Sequence, residues 1–462
     1  MADTAGGGRG AAGGARRRLG ALLALAWPIV VSRSTQVVIG IADATMVAHL
    51  GAAALAATTA GALNAFTFFI LPMGTVFIVS SFSSQLFGMG DLGGARRFAW
   101  YGLAVAAATA LLAAAAVPLV PRLLAPLPYA PDVRALMEEY LAVRLFSSGA
   151  VVGMEALANF YGGLGNTRLP MRASVLAMVL NVGGNWLLID GRLGLPALGV
   201  RGAAVASALS STAAFLALFA AFVQDGRRHG TGRLRGSELR RVLRFGLPSG
   251  LNWFFEFLAF AFFMNVVVAG LGTTPLAALM VVIQVNSVAF MPAFGIASAG
   301  AILVGQAIGA GRKAEVPGLV GLAFALAGGW QAFVGLAYLA APELVLAGFA
   351  QDPASARELV EIGRRMLLLS VGWQLFDAAA TVLAESLRAA GDTAFTLWAR
   401  LAIAWAVFAP GSWISVRVLG GGDVAAVSWL VAYLALLALV LLLRFRSGAW
   451  RRIELVEPTP LA

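Results

Sequence analysis

The sequence predicts an all-α polytopic membrane protein of twelve transmembrane helices in two repeated six-helix lobes, on three observations. Of its 462 residues 60% are hydrophobic and 12% charged, whereas an ordinary soluble domain carries roughly 25% charge. Apolar runs of about 20 residues recur along the chain, long enough to carry a helix across roughly 30 Å of hydrocarbon, where a membrane barrel would show short alternating segments. The pattern of the first half returns in the second at a nearly constant offset.

Residues 1–18 are rich in Gly, Ala and Arg and are expected to be disordered. Arg16-Arg17-Arg18 before LGALLALAW has the look of a signal peptide. Polar residues continue through Arg33, Gln36 and Asp43 without an evident cleavage site, so a retained first helix is the better reading. Cutting apolar runs at Gly, Pro and charged breaks gives spans near 20–44, 54–80, 98–120, 140–162, 170–190 and 198–222 for a first lobe, 19–222. The basic stretch 223–246 then serves as a linker. Within it Ser237 is placed to cap a short interfacial helix through Glu238-Leu239-Arg240-Arg241, the alternative being a solvated tether. A second lobe, 247–445, holds spans near 247–269, 276–303, 317–340, 364–388, 395–418 and 424–443, before a tail, 446–462.

Twelve spans put both termini on one side, and the basic residues say which. The tails and the connections on their side carry 22 of the 30 loop arginines and lysines, the opposite connections 8. Positive segments resist translocation, so the termini and the linker are expected in the cytoplasm. The same scattering argues against a nucleic-acid partner for the net charge of +11. With no cysteine, disulfides and thiolate sites are excluded, and with only His49 and His229 a histidine metal cluster is not expected.

The repeat reads WPIVVSRSTQVVIG, HLGAAALAA, ILPMGTVF and SQLFGMGD in the first half against LPSGLNWFFEFLAF, GLGTTPLAA, FMPAFGIA and GQAIGAGR in the second. Pro28 pairs with Pro248, Pro72 with Pro292 and Gln85 with Gln306, and LGNT at 164–167 answers AGDT at 390–393. Two copies of six helices enter from the same side, as in carriers that work by alternating access. The matched prolines free backbone carbonyls and permit bending, which suits hinges.

These segments, with GIADATMVAHLG around Asp43, NVGGN in the fifth helix, FFEFLAF around Glu256 and FDAAATVLAESLRAAGDT around Asp377, resemble the multidrug and toxic compound extrusion (MATE) family, particularly its NorM-type branch, over about residues 19–445. The resemblance implies two six-helix lobes arranged as a V and export of varied, often cationic, organic compounds coupled to entry of Na+ or H+. It also implies a bacterial inner-membrane location. One departure is Leu279-Met280, where NorM-type sequences often place a polar pair.

Five carboxylates fall inside predicted spans: Asp43, Glu155, Glu256, Asp377 and Glu385. A charge at the bilayer centre costs at least about 2.5–3.5 kcal/mol, so each needs a cavity or a partner. Arg33, Arg144 and Arg388 are the partners considered, and Glu385, three residues before Arg388, is accounted for by a local pair. Glu155 either pairs with Arg144 or lines a cavity. Asp43, Glu256 and Asp377 are read as functional, since neither Glu256 nor Asp377 has a basic partner within its own helix. Asn181 and Asn185, four apart, share one face of the fifth helix, and amide oxygens beside a carboxylate suit a hard cation stripped of water. Interhelical hydrogen bonding is the structural alternative. The family pattern implies that Asp43, Asn181 and Asn185 meet a hydroxyl of the sixth helix, here Ser207.

Cation coupling is thus expected at Asp43, Asn181, Asn185, Ser207, Glu256 and Asp377, with Na+ held by Asp43, Asn181, Asn185, Glu256 and Asp377. Organic cations are expected at Glu256, Phe257, Phe260 and Asp377, through charge, apolar contact and cation–π attraction. Export is expected to depend more on sodium than on protons. No other cofactor is expected, and the chain is expected to work as a monomer. A flippase for lipid-linked sugars is the rival within the class, but Arg33 and Arg144 are the only central cationic candidates for a pyrophosphate. The sequence holds no H-E-x-x-H, Walker loop or Cys nucleophile, so an enzyme is not expected.

Overall fold

The structure is a computed structural model and describes residues 7–229, 233–347 and 356–456. Among these residues the regular structure is entirely helical. Twelve helical segments follow in order: α1 Gly7–Val47, α2 Ala52–Met89, α3 Leu92–Leu124, α4 Pro131–Phe146 with Ser148–Gly163, α5 Arg168–Leu188 and α6 Gly199–His229, then α7 Gly236–Leu271, α8 Thr273–Gly309, α9 Lys313–Ala340, α10 Ala356–Ala389, α11 Thr393–Val418 and α12 Asp423–Arg446. Ten are long and apolar enough to cross a membrane, and α4, whose two pieces are bent by 46°, makes an eleventh span. The remaining segment, α5, has 21 residues, about 31 Å of helix. Its two arginines and two asparagines dilute an otherwise apolar run. A helix lies at the place of each of the twelve expected spans, in order.

At the edges of the lobes the described residues carry structure that the sequence does not specify. The first helix begins at Gly7, inside the stretch expected to be disordered, as an extension of the helix that the apolar run from Leu19 nucleates. Residues 1–6 lie outside the described residues. The linker is mostly helical too, with α6 running to His229 and α7 starting at Gly236. The turn around Glu238 is the first turn of α7 rather than a separate interfacial helix. Arg97 Nε donates to both Glu238 oxygens at 3.1 Å, Tyr101 donates to Glu238 at 2.8 Å, and the Arg235 N–H donates to the Tyr101 hydroxyl at 2.6 Å. The tail is also ordered to residue 456, with Trp450 buried and stacked on Phe445 at 5.6 Å.

The helices form two compact units, one of residues 31–251 and one of residues 1–30 with 252–462. The boundaries fall just after Pro28 and Pro248, both inside helices, and not at the linker. In the first unit the start of α7 lies tight on α2, where a Cβ on Gly250 would collide with the Leu71 carbonyl and Thr75. In the second, a Cβ on Gly295 of α8 would collide with Val30 of α1. Each half of the sequence therefore lends the opening turns of its first helix to the other half's unit.

The first unit's core joins Ala65, Phe69, Met137 and Leu145 between α2 and α4, with Phe82 stacked on Phe98 at 4.1 Å. The second unit's core runs through α8, α9, α10 and α12, around Phe263, Val282, Ala323, Met366 and Leu437. Turns repeat with the sequence. Gly90 (φ 82°) and Gly311 (φ 74°) end α2 and α8, and Gly165 (φ 83°) and Gly391 (φ 90°) follow α4 and α10, all in the left-handed region that glycine adopts without a Cβ penalty.

Candidate functional site

In the first unit α1, α5 and α6 converge on one carboxylate. Asn181 and Asn185 stack on the face of α5 turned to α1 and α6, as their four-residue spacing requires. Asn185 Nδ2 donates to Asp43 Oδ1 at 2.5 Å, and Ser207 Oγ donates to Asp43 Oδ2 at 3.1 Å. Asn181 Nδ2 donates to Ser207 Oγ at 3.0 Å, and Asn185 Nδ2 also approaches Asn181 Oδ1 at 3.4 Å. All four side chains are buried, and Asn185 Oδ1 is buried without a hydrogen-bond partner. The structure thus brings together every residue expected at this locus.

The chemistry open to this cluster follows from its donors and acceptors. Asp43 is held by two neutral donors, and Arg144 acts on it electrostatically. Turning the two amides would replace N–H groups by oxygens. The carboxylate, two amide oxygens and a hydroxyl oxygen then make a set of hard ligands for a dehydrated monovalent cation. Protonating Asp43 would convert it from acceptor to donor against the same neighbours. Among the described residues no three His, Asp or Glu side chains converge as metal ligands.

Two arginines inside the spans are paired elsewhere. Arg33 of α1 reaches Glu155 of α4 at 2.8 Å and lies over the Phe77 ring at 5.6 Å from its centroid. Asn159 Nδ2 donates to the same carboxylate at 3.1 Å. Glu155 therefore pairs with Arg33, one of the three arginines considered, rather than with Arg144 or as part of a cavity lining. Glu385 pairs with Arg388 at 2.5 Å, as expected from their spacing.

In the second unit the expectation of a bare acidic pair is corrected. Glu256 of α7 forms an ion pair with Arg400 of α11, and Asp377 of α10 acts electrostatically on both. The partner lies on another helix, where a search within each acid's own helix does not find it. Arg400 is buried, and Tyr433 of α12 adjoins it. Arg33 and Arg144 are thus not the only basic residues within the spans. Phe260 is half-buried against the core, one turn beyond Glu256, and Phe257 is half-buried, pointing about 100° away from Glu256 around the helix.

Beside this group runs a neutral network that the sequence reading missed. Gln374 Nε2 donates to Asn286 Oδ1 at 2.5 Å, and Asn286 Nδ2 donates to Ser370 Oγ at 3.2 Å. Gln374 precedes Asp377 by three residues on α10, so the same helix face carries both. An Asn and a Gln inside apolar spans are the signal that could have found it.

Comparison with known proteins gives a consistent picture. A model of the family MatE matches residues 28–187 and 248–414, one match in each half of the repeat. The probable multidrug resistance protein NorM of Pseudomonas putida is 32% identical over 448 residues, covering 95% of this chain and 96% of the relative. That of Thermotoga maritima is 27% identical, covering 93% of each. Among solved structures, a MOP superfamily transporter from Pyrococcus furiosus superposes with a TM-score of 0.83 at 21% identity, over 94% of this chain and 97% of that one. A eukaryotic MATE transporter, AtDTX14, gives 0.78 at 18% identity, over 94% of this chain and 97% of that one.

Proposed function

The chain belongs to the MatE family, and on that premise we propose that it is an inner-membrane antiporter exporting organic, often cationic, compounds in exchange for sodium ions or protons. The observation that carries the reading is the Asp43 carboxylate, buried among Asn181, Asn185 and Ser207 without an arginine bonded to it. A buried acid held only by neutral donors can take up a cation or a proton and release it, which a tight ion pair resists. Relatives named as multidrug resistance proteins support the choice of cargo. Flipping of lipid-linked sugars is not favoured, since an intramembrane arginine that would meet a pyrophosphate is paired with Glu155 and another with Glu256.

In this reading Asp43, Asn181, Asn185 and Ser207 take the coupling ion. Glu256 and Asp377 draw the organic cation, with Phe257 and Phe260 as its apolar wall, and sodium is exchanged at the Asp43 locus. Sodium drives export more strongly than protons, because the amide and hydroxyl oxygens serve a metal cation and add little to a proton site. A membrane potential supplies about 2.3 kcal/mol per charge per 100 mV, and each tenfold ion gradient about 1.4. Where one more positive charge enters than leaves, the two together concentrate a drug outward roughly a hundredfold or more. Both termini and the 223–246 linker face the cytoplasm, and the protein works as a monomer. The deciding experiment is efflux of a cationic dye from proteoliposomes with sodium and pH gradients imposed separately. Efflux under neither gradient would overturn the antiport assignment.

A further inference from the structure

We infer that Arg400 is a tethered counter-cation that occupies Glu256 until an organic cation displaces it, and that Asn252 receives the guanidinium when it leaves. The inference rests on the reading of Glu256 and Asp377 as the organic-cation site and adds what selects the ligand there.

The charges set the frame. With both carboxylates ionised, the one guanidinium leaves a single net negative charge, room for one monovalent cation and not for two. Arg400 is buried and paired with Glu256 across α7 and α11. A guanidinium is always charged, weakly hydrated and forked to match a carboxylate. A small inorganic ion competing for Glu256 must shed its own water and expel that fork with no other contact to gain. A flat lipophilic cation brings its charge together with apolar and ring contacts, which the half-buried Phe257 and Phe260 can supply. Arg400 thereby discriminates against sodium at this locus and in favour of organic cations.

The second half of the inference concerns where the displaced side chain goes. Asn252 lies four residues before Glu256, on the same face of α7 and one turn away. Its Oδ1 is buried and accepts no hydrogen bond. Asn252 and Arg400 line one narrow cleft together with Phe255, Leu397, Leu401 and Ala404. A buried acceptor without a donor is a standing cost that a guanidinium N–H removes, so the cleft offers Arg400 a second resting place one turn from the first. Just past this point both helices change register. The stretches Phe263–Val268 of α7 and Ile403–Phe408 of α11 are π-helical, and their Phe263 and Phe408 rings lie 5.0 Å apart. Such π segments recur at functional sites.

The test measures tetraphenylphosphonium binding to the purified full-length protein in detergent by calorimetry, with sodium or choline at one ionic strength. Wild-type affinity is expected to be the same in both salts. Arg400→Gln is expected to bind about tenfold tighter in choline and to lose that gain in sodium, a coupling of ordinary allosteric size. Asn252→Leu, which removes the second acceptor, is expected to weaken wild-type binding about tenfold and to do nothing in the Arg400→Gln background, the non-additivity of a shared mechanism. Wild-type affinity and sodium response in Arg400→Gln would overturn the inference. If that variant does not fold, Asn252→Leu decides: weakened binding supports the inference and unchanged binding overturns it. Glu256→Gln and Asp377→Asn separate the two levels. Wild-type binding in both would sink the site itself, whereas lost binding there with unaltered Arg400→Gln and Asn252→Leu would remove only the role of Arg400.

Discussion

Asn185 of α5 donates a hydrogen bond to the Asp43 carboxylate of α1 at 2.5 Å, across 142 residues of sequence. The same amide leaves its own oxygen buried and without a donor. An amide in this position can serve the acid in two ways, by its N–H when the site is empty of cation and by its oxygen when a cation sits between them. That dual use leads to the first expectation. Asp43→Asn should reduce export at least tenfold while the protein still inserts and unfolds at a near-native temperature, because the amide keeps the shape and loses the charge. Asn181→Ala and Asn185→Ala should each lose less, as one neutral ligand among several. Wild-type efflux in reconstituted Asp43→Asn would leave Asp43 with a structural role alone.

The coupling ion can be read separately. With a sodium gradient at constant pH, wild-type vesicles should export a cationic dye, and Glu256→Gln and Asp377→Asn should export it more slowly. A pH gradient that drives all three proteins equally, with sodium inert, would mean that a proton alone is exchanged and that the second-unit acids do not couple.

Arg33 and Glu155 should behave as structure rather than as a transport site. They form a part-buried pair, with side chains 26% and 13% exposed, and solvent screens part of its attraction. Glu155→Gln strands the arginine and should lower stability by about 1–2 kcal/mol, less than the 3–5 expected for a fully buried pair. Removing both charges, in Arg33→Gln with Glu155→Gln, should recover part of the loss. Thermal unfolding in detergent checks this, and a double variant no more stable than the single one would argue against pairing as the reason.

Membrane orientation is open to a direct check. With 22 of the 30 loop basic residues on one side, reporter fusions at both termini and within 230–232 should all report the cytoplasm. A linker reporter active outside the cell would reverse the assignment.

Much of this was legible in the sequence, for reasons that can be stated. Hydrocarbon thickness fixes the length of an apolar run, so twelve spans could be counted. Asn181 and Asn185 could be placed on one face because four residues make about one helical turn. What composition could not show was tertiary partnership. The Glu238 turn reads as a polar tether, yet it is fixed by Arg97 and Tyr101 from α3. Arg400 was passed over because it stands only a turn or so inside its predicted span, near enough to the end to look like a flanking charge. Counting would have found it, since only Arg33, Arg144 and Arg400 of the 33 basic residues lie four or more residues inside an expected span.

The lending of opening turns between the halves has a bearing on biosynthesis. Residues 1–30 belong with 252–462, and Val30 waits for Gly295 of α8 to arrive. At roughly 5–20 residues per second that interval is on the order of tens of seconds. During it the start of α1 is already made and has no permanent neighbour. A ribosome stalled at the linker would therefore hold a chain that cannot finish either unit, because residues 31–251 still lack the turns of α7 that lie on Leu71 and Thr75. A cut at the linker therefore separates the units cleanly on neither side, since each keeps the opening turns of the other half's first helix.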